Sequence, residues 1–293
     1  MLVILGAGYT GRFLYARAIA NGVQTLVTSR APDSHLSFAP PAHRLAFDLE
    51  QETTWRGFPA GADLVWCFPA APLDTITAFA DAALSKARRV IILGSTSAYE
   101  TSDLSAGKVI DESAPLDHTR PRVQGEDYLR THFGAIVLRV AGMYGPGRNV
   151  LDWIRRGKVG SAPRWVNLIH VEDLAAICLV ALENGRRGEV YNVSDGQPRR
   201  WSQICETAHV RWGVVPTRTD IDISPGKRIS IAKVTRDLQY QFRHPDLFSA
   251  LDEIETATST QETDAPTPQS TAEQSTGLSR DLPSASSTGA ERS

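Results

Sequence analysis

The chain has 293 residues, 42% hydrophobic and 22% charged, with 31 Lys and Arg against 33 Asp and Glu for a formal net charge of -2. Such values suit a globular protein with length for about two domains of roughly 150 residues each. They exclude a disulfide mini-protein, a wholly disordered chain and a globally basic binder of nucleic acid or anionic lipid. Cys67, Cys178 and Cys205 form no CxxC pair, so neither a zinc ribbon nor a disulfide framework is encoded and no metal site is expected. The longest apolar stretch, 174–182, falls far short of the about 20 residues of a membrane span. The first residues lack the basic segment of a signal peptide. The expectation is a cytoplasmic protein that engages neither nucleic acid nor membrane.

Short apolar runs at 2–5, 24–28, 64–68, 90–93 and 135–140 predict strands covered on both faces. Residues 10–21, 73–86 and 124–132 predict amphipathic helices between them. That alternation predicts an α/β fold, a doubly wound parallel sheet of the Rossmann kind. After Gly142 the pattern loosens, with Gly and Pro clusters at 145–147, 161–163 and 225–226, a helix over 171–183 and a strand over 190–193. We therefore divide the chain into a Rossmann domain over 1–194, with lobe insertions after about 142, and a smaller C-terminal substrate lobe over 195–254. From 255 to 293 Ser and Thr supply sixteen of 39 residues, and Leu278 and Leu282 are the only large aliphatics. Too little apolar surface remains there to offset the entropy of ordering, which predicts a disordered tail.

Gly6-Ala7-Gly8-Tyr9-Thr10-Gly11 fits GxGxxG between the first predicted strand and the first helix, the context that turns this pattern into a dinucleotide loop. Gly6 permits the tight turn, Gly8 lets the backbone approach a pyrophosphate, and Gly11 lets the helix pack on the strand. Where the second strand ends, an acid for the ribose 2′-hydroxyl is usual, but the chain reads Thr28-Ser29-Arg30. Ser29 and Arg30, with Arg12 beside the loop, suit a 2′-phosphate, so the expected cofactor is NADP over NAD. Asp48 is a candidate for the adenine amino group, or a plain turn residue.

These features, with the segments at 92–100, 111–116, 138–148, 166–175, 189–196 and 227–234, resemble the extended and atypical short-chain dehydrogenase/reductases, the NAD-dependent epimerase/dehydratase-like proteins. The resemblance spans about residues 1–254. It implies a cofactor-binding Rossmann lobe, a C-terminal lobe covering the substrate over the nicotinamide, and Phe68-Pro69-Ala70 against the nicotinamide ribose. It also implies a substrate-orienting hydroxyl at Ser95, four residues before Tyr99, with Ser97 beside it.

The family's Tyr-x-x-x-Lys dyad is missing. Counting back from Glu126, its positions fall on His118 and Arg122. A catalytic Tyr needs a neighbouring cation to bring its pKa of about 10 toward neutrality, so the departure is chemical. Pro121 biases Arg120 away from the helical region and predicts a later helix start, which need not put His118 and Arg122 on one face. His118 and Tyr144 are the candidate proton donors, each with a bland alternative as loop or packing residue. Arg148, with Arg155, Arg156 and Arg164, can form an anion pocket or a solvated face. Asn167 is a candidate substrate contact, and His170 and Asp173 belong to the start of the last Rossmann helix. The expected function is an NADP-dependent oxidoreductase, epimerase or dehydratase acting on a small carbonyl or sugar-like substrate. The alternative is a non-catalytic NADP-binding redox sensor or docking protein.

Overall fold

The computed structural model describes residues 1–100, 108–218 and 224–263. In chain order it begins with β1 (Leu2–Leu5), α1 (Tyr9–Ala20), β2 (Thr25–Ser29), α2 (Pro32–His35), β3 (Arg44–Ala46), β4 (Asp63–Trp66), α3 (Leu73–Ala83) and β5 (Arg89–Ser95). Next come β6 (Val109–Ile110), α4 (Pro121–Phe133), β7 (Ile136–Val140), β8 (Gly142–Tyr144), α5 (Val150–Arg155), β9 (Trp165–Val166), β10 (Leu168–His170) and α6 (Val171–Asn184). The remainder is β11 (Val190–Val193), β12 (Arg199–Arg200), α7 (Trp201–Trp212), β13 (Arg228–Ile229), α8 (Ala232–Leu238) and α9 (Leu247–Thr263).

Seven parallel strands form the main sheet in the order β11-β7-β5-β4-β1-β2-β3. Successive residues of a strand point to opposite faces, and here both faces are buried. Leu2 and Ile4 pack with Leu14, Ala18, Leu174, Ile177 and Val234, on the side of α1, α6 and α8. Val3 and Leu5 pack with Ile76, Phe79 and Leu129, on the side of α3 and α4. That explains why the strands read as unbroken apolar runs. The order reverses at β1, with β2 on one side and β4 on the other, and ligands of such sheets bind at this switch, beyond the strands' C-terminal ends.

A second core gathers Tyr144, Leu151, Ile154, Leu168, Ile204, Ala208, Leu247, Leu251 and Ile254 from β8, α5, β10, α7 and α9. The sequence reading ended the ordered body at 254, but α9 runs through Thr263. Its apolar face, Leu247, Ala250, Leu251 and Ile254, is buried, and Glu255 pairs with Arg155 at 2.7 Å and accepts from Asn149. Composition alone does not show that a polar residue at 255 has a partner. The rest of the expected tail, 264–293, lies outside the described residues.

Helix α4 departs from expectation at its start. Arg120 is extended, as a residue before proline should be, but the helix begins at Pro121 itself. Proline is tolerated in a first turn, where its missing N–H has no intrahelical partner to lose. Gly125 sits mid-helix because a Cβ there would stand 2.0 Å from the Ala70 carbonyl oxygen. By helix propensity alone Gly125→Ala should gain about 1 kcal/mol. The backbone overlap reverses the sign, and a loss of about 1–3 kcal/mol is expected from overpacking, measured by urea denaturation.

Among the described residues no helix is long and apolar enough to cross a membrane.

Candidate active site

The glycine loop joins β1 to α1 at the switch point. Gly6 has φ +93°, a conformation side chains disfavour, and its N–H donates to Thr28 Oγ1 at 3.0 Å. Gly11 lies directly beneath, where a Cβ would be 2.2 Å from the Gly6 carbonyl oxygen. Gly8 is the N-cap of α1, and a Cβ there would meet nothing within 4 Å. The first turn of α1 carries no acid, so its N–H groups face the crevice without a competing carboxylate.

Beyond the loop opens a cavity of about 520 Å³, lined by Gly6, Ala7, Gly8, Arg12, Ser29, Arg30, Asp48 and Phe68, among others. Ser29 Oγ shares a hydrogen bond with His35 Nδ1 at 2.8 Å and accepts from the Ala31 N–H at 3.2 Å. Arg12 lies over the Phe38 ring, 5.0 Å from its centroid. One end of this cavity therefore combines Arg12, Arg30, Ser29 and His35, with no acid at the end of β2. Asp48 accepts from the Glu50 N–H at 3.1 Å and from Gln51 Nε2 at 3.2 Å, so it shapes its turn as well as lining the cavity. The open space at Gly8 and the acid-free helix terminus together fit the pyrophosphate of a dinucleotide.

The other loop residues face elsewhere. Tyr9 donates to the Pro146 carbonyl at 3.1 Å, and burial pushes its pKa up to about 12, with Arg148 opposing and Glu172 reinforcing. Thr10 donates to Met143 Sδ at 3.1 Å and is buried. Both tie α1 to the segment after β7 and do not line the cavity. Phe68 lies against Gly6, whereas Ala70 is buried against α4 and Pro69 accepts the Ala71 N–H at 2.9 Å. The chain lining the cavity there is Ala71-Pro72.

A second cavity, of about 720 Å³, lies at the end of β5, against Trp165, Trp201 and the 224–227 segment. Its lining includes Ser95, Thr96, Ser97, Arg120, Arg164, Trp165, Asn167, Trp201 and Lys227. Ser95 Oγ accepts from the Ser97 N–H at 3.2 Å. Asn167, 8% exposed, donates to the Lys227 carbonyl at 2.7 Å and accepts from the Ile229 N–H at 2.9 Å. Its amide thus anchors the 227–229 segment while Asn167 also lines the cavity.

Lys227 is the residue the sequence reading missed. Its Nζ donates to the carbonyls of Tyr99 at 2.6 Å and Thr96 at 3.2 Å, across the loop that begins at Ser95. Burial and then repulsion from Arg120 and Arg164 hold its pKa below the usual lysine range, with Asp117 opposing. The only sequence signal was a lysine after Pro225-Gly226, in a segment already noted for its resemblance.

Neither expected proton donor lines this cavity. His118 is exposed in the turn before α4, where its carbonyl accepts from Gln124 Nε2 at 2.8 Å. Tyr144 is fully buried, edge-on to His170, and its hydroxyl has no partner among the described residues. Burial drives the Tyr144 pKa upward, and the side chain stands outside the lining of this cavity. Arg122, at the dyad's Lys position, pairs with Glu126 at 3.3 Å and donates to the Leu93 carbonyl at 3.4 Å. Arg148 lies over the rings of Tyr9 and Trp153, and Arg155 pairs with Asp152 and Glu255. Of the arginines considered for an anion pocket, Arg164 is the one that lines the cavity.

His170, Glu172 and His244 bring ligand-type atoms within 4.8 Å of one another. His170 Nδ1 accepts the Glu172 N–H, capping α6, and its ring lies 3.8 Å from that of His244. Burial and His244 lower the His170 pKa to about 4, so it is a neutral cap at the start of α6.

No protein-family model matches the chain. Protein YeeZ of Escherichia coli strain K12 is 26% identical over 180 residues, covering 59% of this chain; the chain spans 65% of the length of this curated relative. A protein of Methylobacillus flagellatus assigned to the NAD-dependent epimerase/dehydratases is 24% identical, with a TM-score of 0.71 over 88% of this chain and 98% of that one. The human epimerase family protein SDR39U1, solved with NADPH, is 20% identical, with a TM-score of 0.66 over 87% and 99%. These likenesses show the fold: the chain is built as the epimerase/dehydratase and short-chain dehydrogenase/reductase proteins are.

Proposed function

We propose that a chain with this fold is an NADP-dependent oxidoreductase or epimerase/dehydratase, acting on a small carbonyl or sugar-like substrate beside Ser95. The observation that carries the reading is the first cavity, which pairs a glycine loop with Arg12, Arg30, Ser29 and His35 where an acid would select NAD. The N–H groups of the loop and of the first turn of α1 hold the pyrophosphate. Arg12 and Arg30 would hold the 2′-phosphate by charge-assisted hydrogen bonds. Phe68, which lines this cavity beside Gly6, would pack against the bound cofactor. When bound, the cofactor exchanges a hydride with the substrate carbon. Ser95 donates its hydroxyl hydrogen to the reacting oxygen, and the Trp165 and Trp201 side of the cavity limits the water that reaches it.

The titration of NADPH and NADH into the full chain tests the cofactor, and NADPH consumption across a panel of aldehydes and ketones tests turnover. With a substrate found this way, Ser95→Ala is expected to lower kcat/KM about tenfold, the equivalent of one hydrogen bond of about 1.4 kcal/mol, while NADPH affinity is unchanged. Equal kcat/KM for both proteins would remove Ser95 from the site. The absence of the dyad from the second cavity favours a second reading, a sensor that binds NADPH without turnover. Tight NADPH binding with no consumption across the whole panel would support it.

A further inference from the structure

The dyad does two things in proteins that have it: it places a cation near the reacting oxygen and provides a proton. Among the described residues lining the second cavity, the ionisable groups are Arg120, Arg164 and Lys227. Arginine stays charged under all ordinary conditions, so it cannot release a proton. Lys227 can, and it reaches the Ser95 loop from the other lobe, through a segment 131 residues from Thr96.

We propose that Lys227 is a catalytic residue, sharing the reacting oxygen of a carbonyl substrate with Ser95 and supplying the proton that the missing dyad would have supplied. This rests on the functional reading above. An ammonium has three N–H donors, and two of Lys227's are held by the Thr96 and Tyr99 carbonyls. Those carbonyls fix the nitrogen at the start of the loop, at the wall of the cavity that Lys227 lines, with one N–H left over for a substrate. Asn167, clamped to the Lys227 carbonyl and the Ile229 N–H, fixes the backbone that carries it. As negative charge develops on the substrate oxygen, the third Nζ–H bond breaks and an O–H bond forms. The nitrogen keeps the electron pair as a neutral amine and is reprotonated from solvent. The groups facing Lys227 are Arg120 and Arg164, which favour the neutral amine, and Asp117, which opposes them.

The test needs no knowledge of the natural substrate. Pyridoxal 5′-phosphate carries an aldehyde and an anionic group, and an aldehyde reacts only with a neutral amine. The amine nitrogen attacks the aldehyde carbon, water leaves, and borohydride reduces the resulting C=N bond to a stable secondary amine. The full chain, saturated with NADPH, is treated with this probe and borohydride across pH, and the modified lysines are identified by peptide mass. Lys227 is expected to be modified several-fold faster than Lys86, Lys158 and Lys233, with its half-maximal rate at a lower pH. In Lys227→Arg, which keeps a cation against the two carbonyls, that modification disappears while the melting temperature is retained. Turnover by Lys227→Arg on any substrate found by the panel is expected to fall at least tenfold, with NADPH affinity unchanged.

Modification of Lys227 at the rate and pH of the other lysines would overturn the proposal. Full turnover by Lys227→Arg would overturn it equally. Failure of NADPH to bind in a separate titration would instead defeat the functional reading on which the proposal stands.

Discussion

Leu251→Ala is expected to cost the protein about 2–5 kcal/mol, the range for truncating a large aliphatic side chain in a core that cannot collapse around the gap. Leu251 is fully buried, and its neighbours in the second core come from α5, β10 and α7, which are held at fixed spacing by the rest of the fold. The chain closes that core with α9, packing Leu247, Ala250, Leu251 and Ile254 on one face at helical spacing. Urea denaturation followed by circular dichroism measures the effect as a lower midpoint with an unchanged slope. A change below about 1 kcal/mol would mean that α9 does not dock there. Because this core supports the β9–β10 side of the second cavity, the variant should also weaken whatever binds beside Ser95 before it weakens NADPH binding.

Arg30→Asp is expected to cost NADPH roughly ten- to a hundredfold in affinity, the equivalent of a charge-assisted contact of about 1.5–3 kcal/mol. The introduced carboxylate repels the 2′-phosphate and can accept from the 2′-hydroxyl of NADH, so the preference should reverse. Arg12 and His35 remain at that end of the cavity, so NADPH binding should be weakened and not abolished. Isothermal titration with both cofactors measures the two affinities. Unchanged affinity for both would place the 2′-phosphate away from Arg30.

The sheet and the loop were legible because both are local signals. A strand covered on two faces must be apolar throughout, and two of the three loop glycines stand where side chains are disfavoured: Gly11 beneath the Gly6 carbonyl and Gly6 at positive φ. Pro121 was read correctly for its effect on Arg120 but not for its own place in the helix, since a first-turn proline breaks nothing. Gly125 read as a weak helix position because the Ala70 carbonyl that requires it is 55 residues away in sequence. Lys227 was illegible for the same reason, as no spacing rule links it to the carbonyls of Thr96 and Tyr99. The short β3, which extends the sheet beyond β2, carries only Arg44, Leu45 and Ala46 and offers no periodicity to read. Charge counting along the chain grouped Arg148, Arg155, Arg156 and Arg164, but folding sends Arg148 to aromatic rings and Arg155 to carboxylates.

If the cavity beyond the ends of β1, β2 and β4 takes a dinucleotide, Gly8 separates that binding from the stability of the fold. Gly8 has ordinary backbone angles, and a side chain there points into open space. Gly8→Val should therefore keep stability within about 1 kcal/mol of the parent, the scale of an unfavourable N-cap residue. Its side chain would occupy the space the pyrophosphate needs. Titration of NADPH into both proteins is the direct measurement: the account predicts saturable one-to-one binding by the parent chain and none by a folded Gly8→Val, whereas equal binding by the two proteins, or none by the parent, would contradict it.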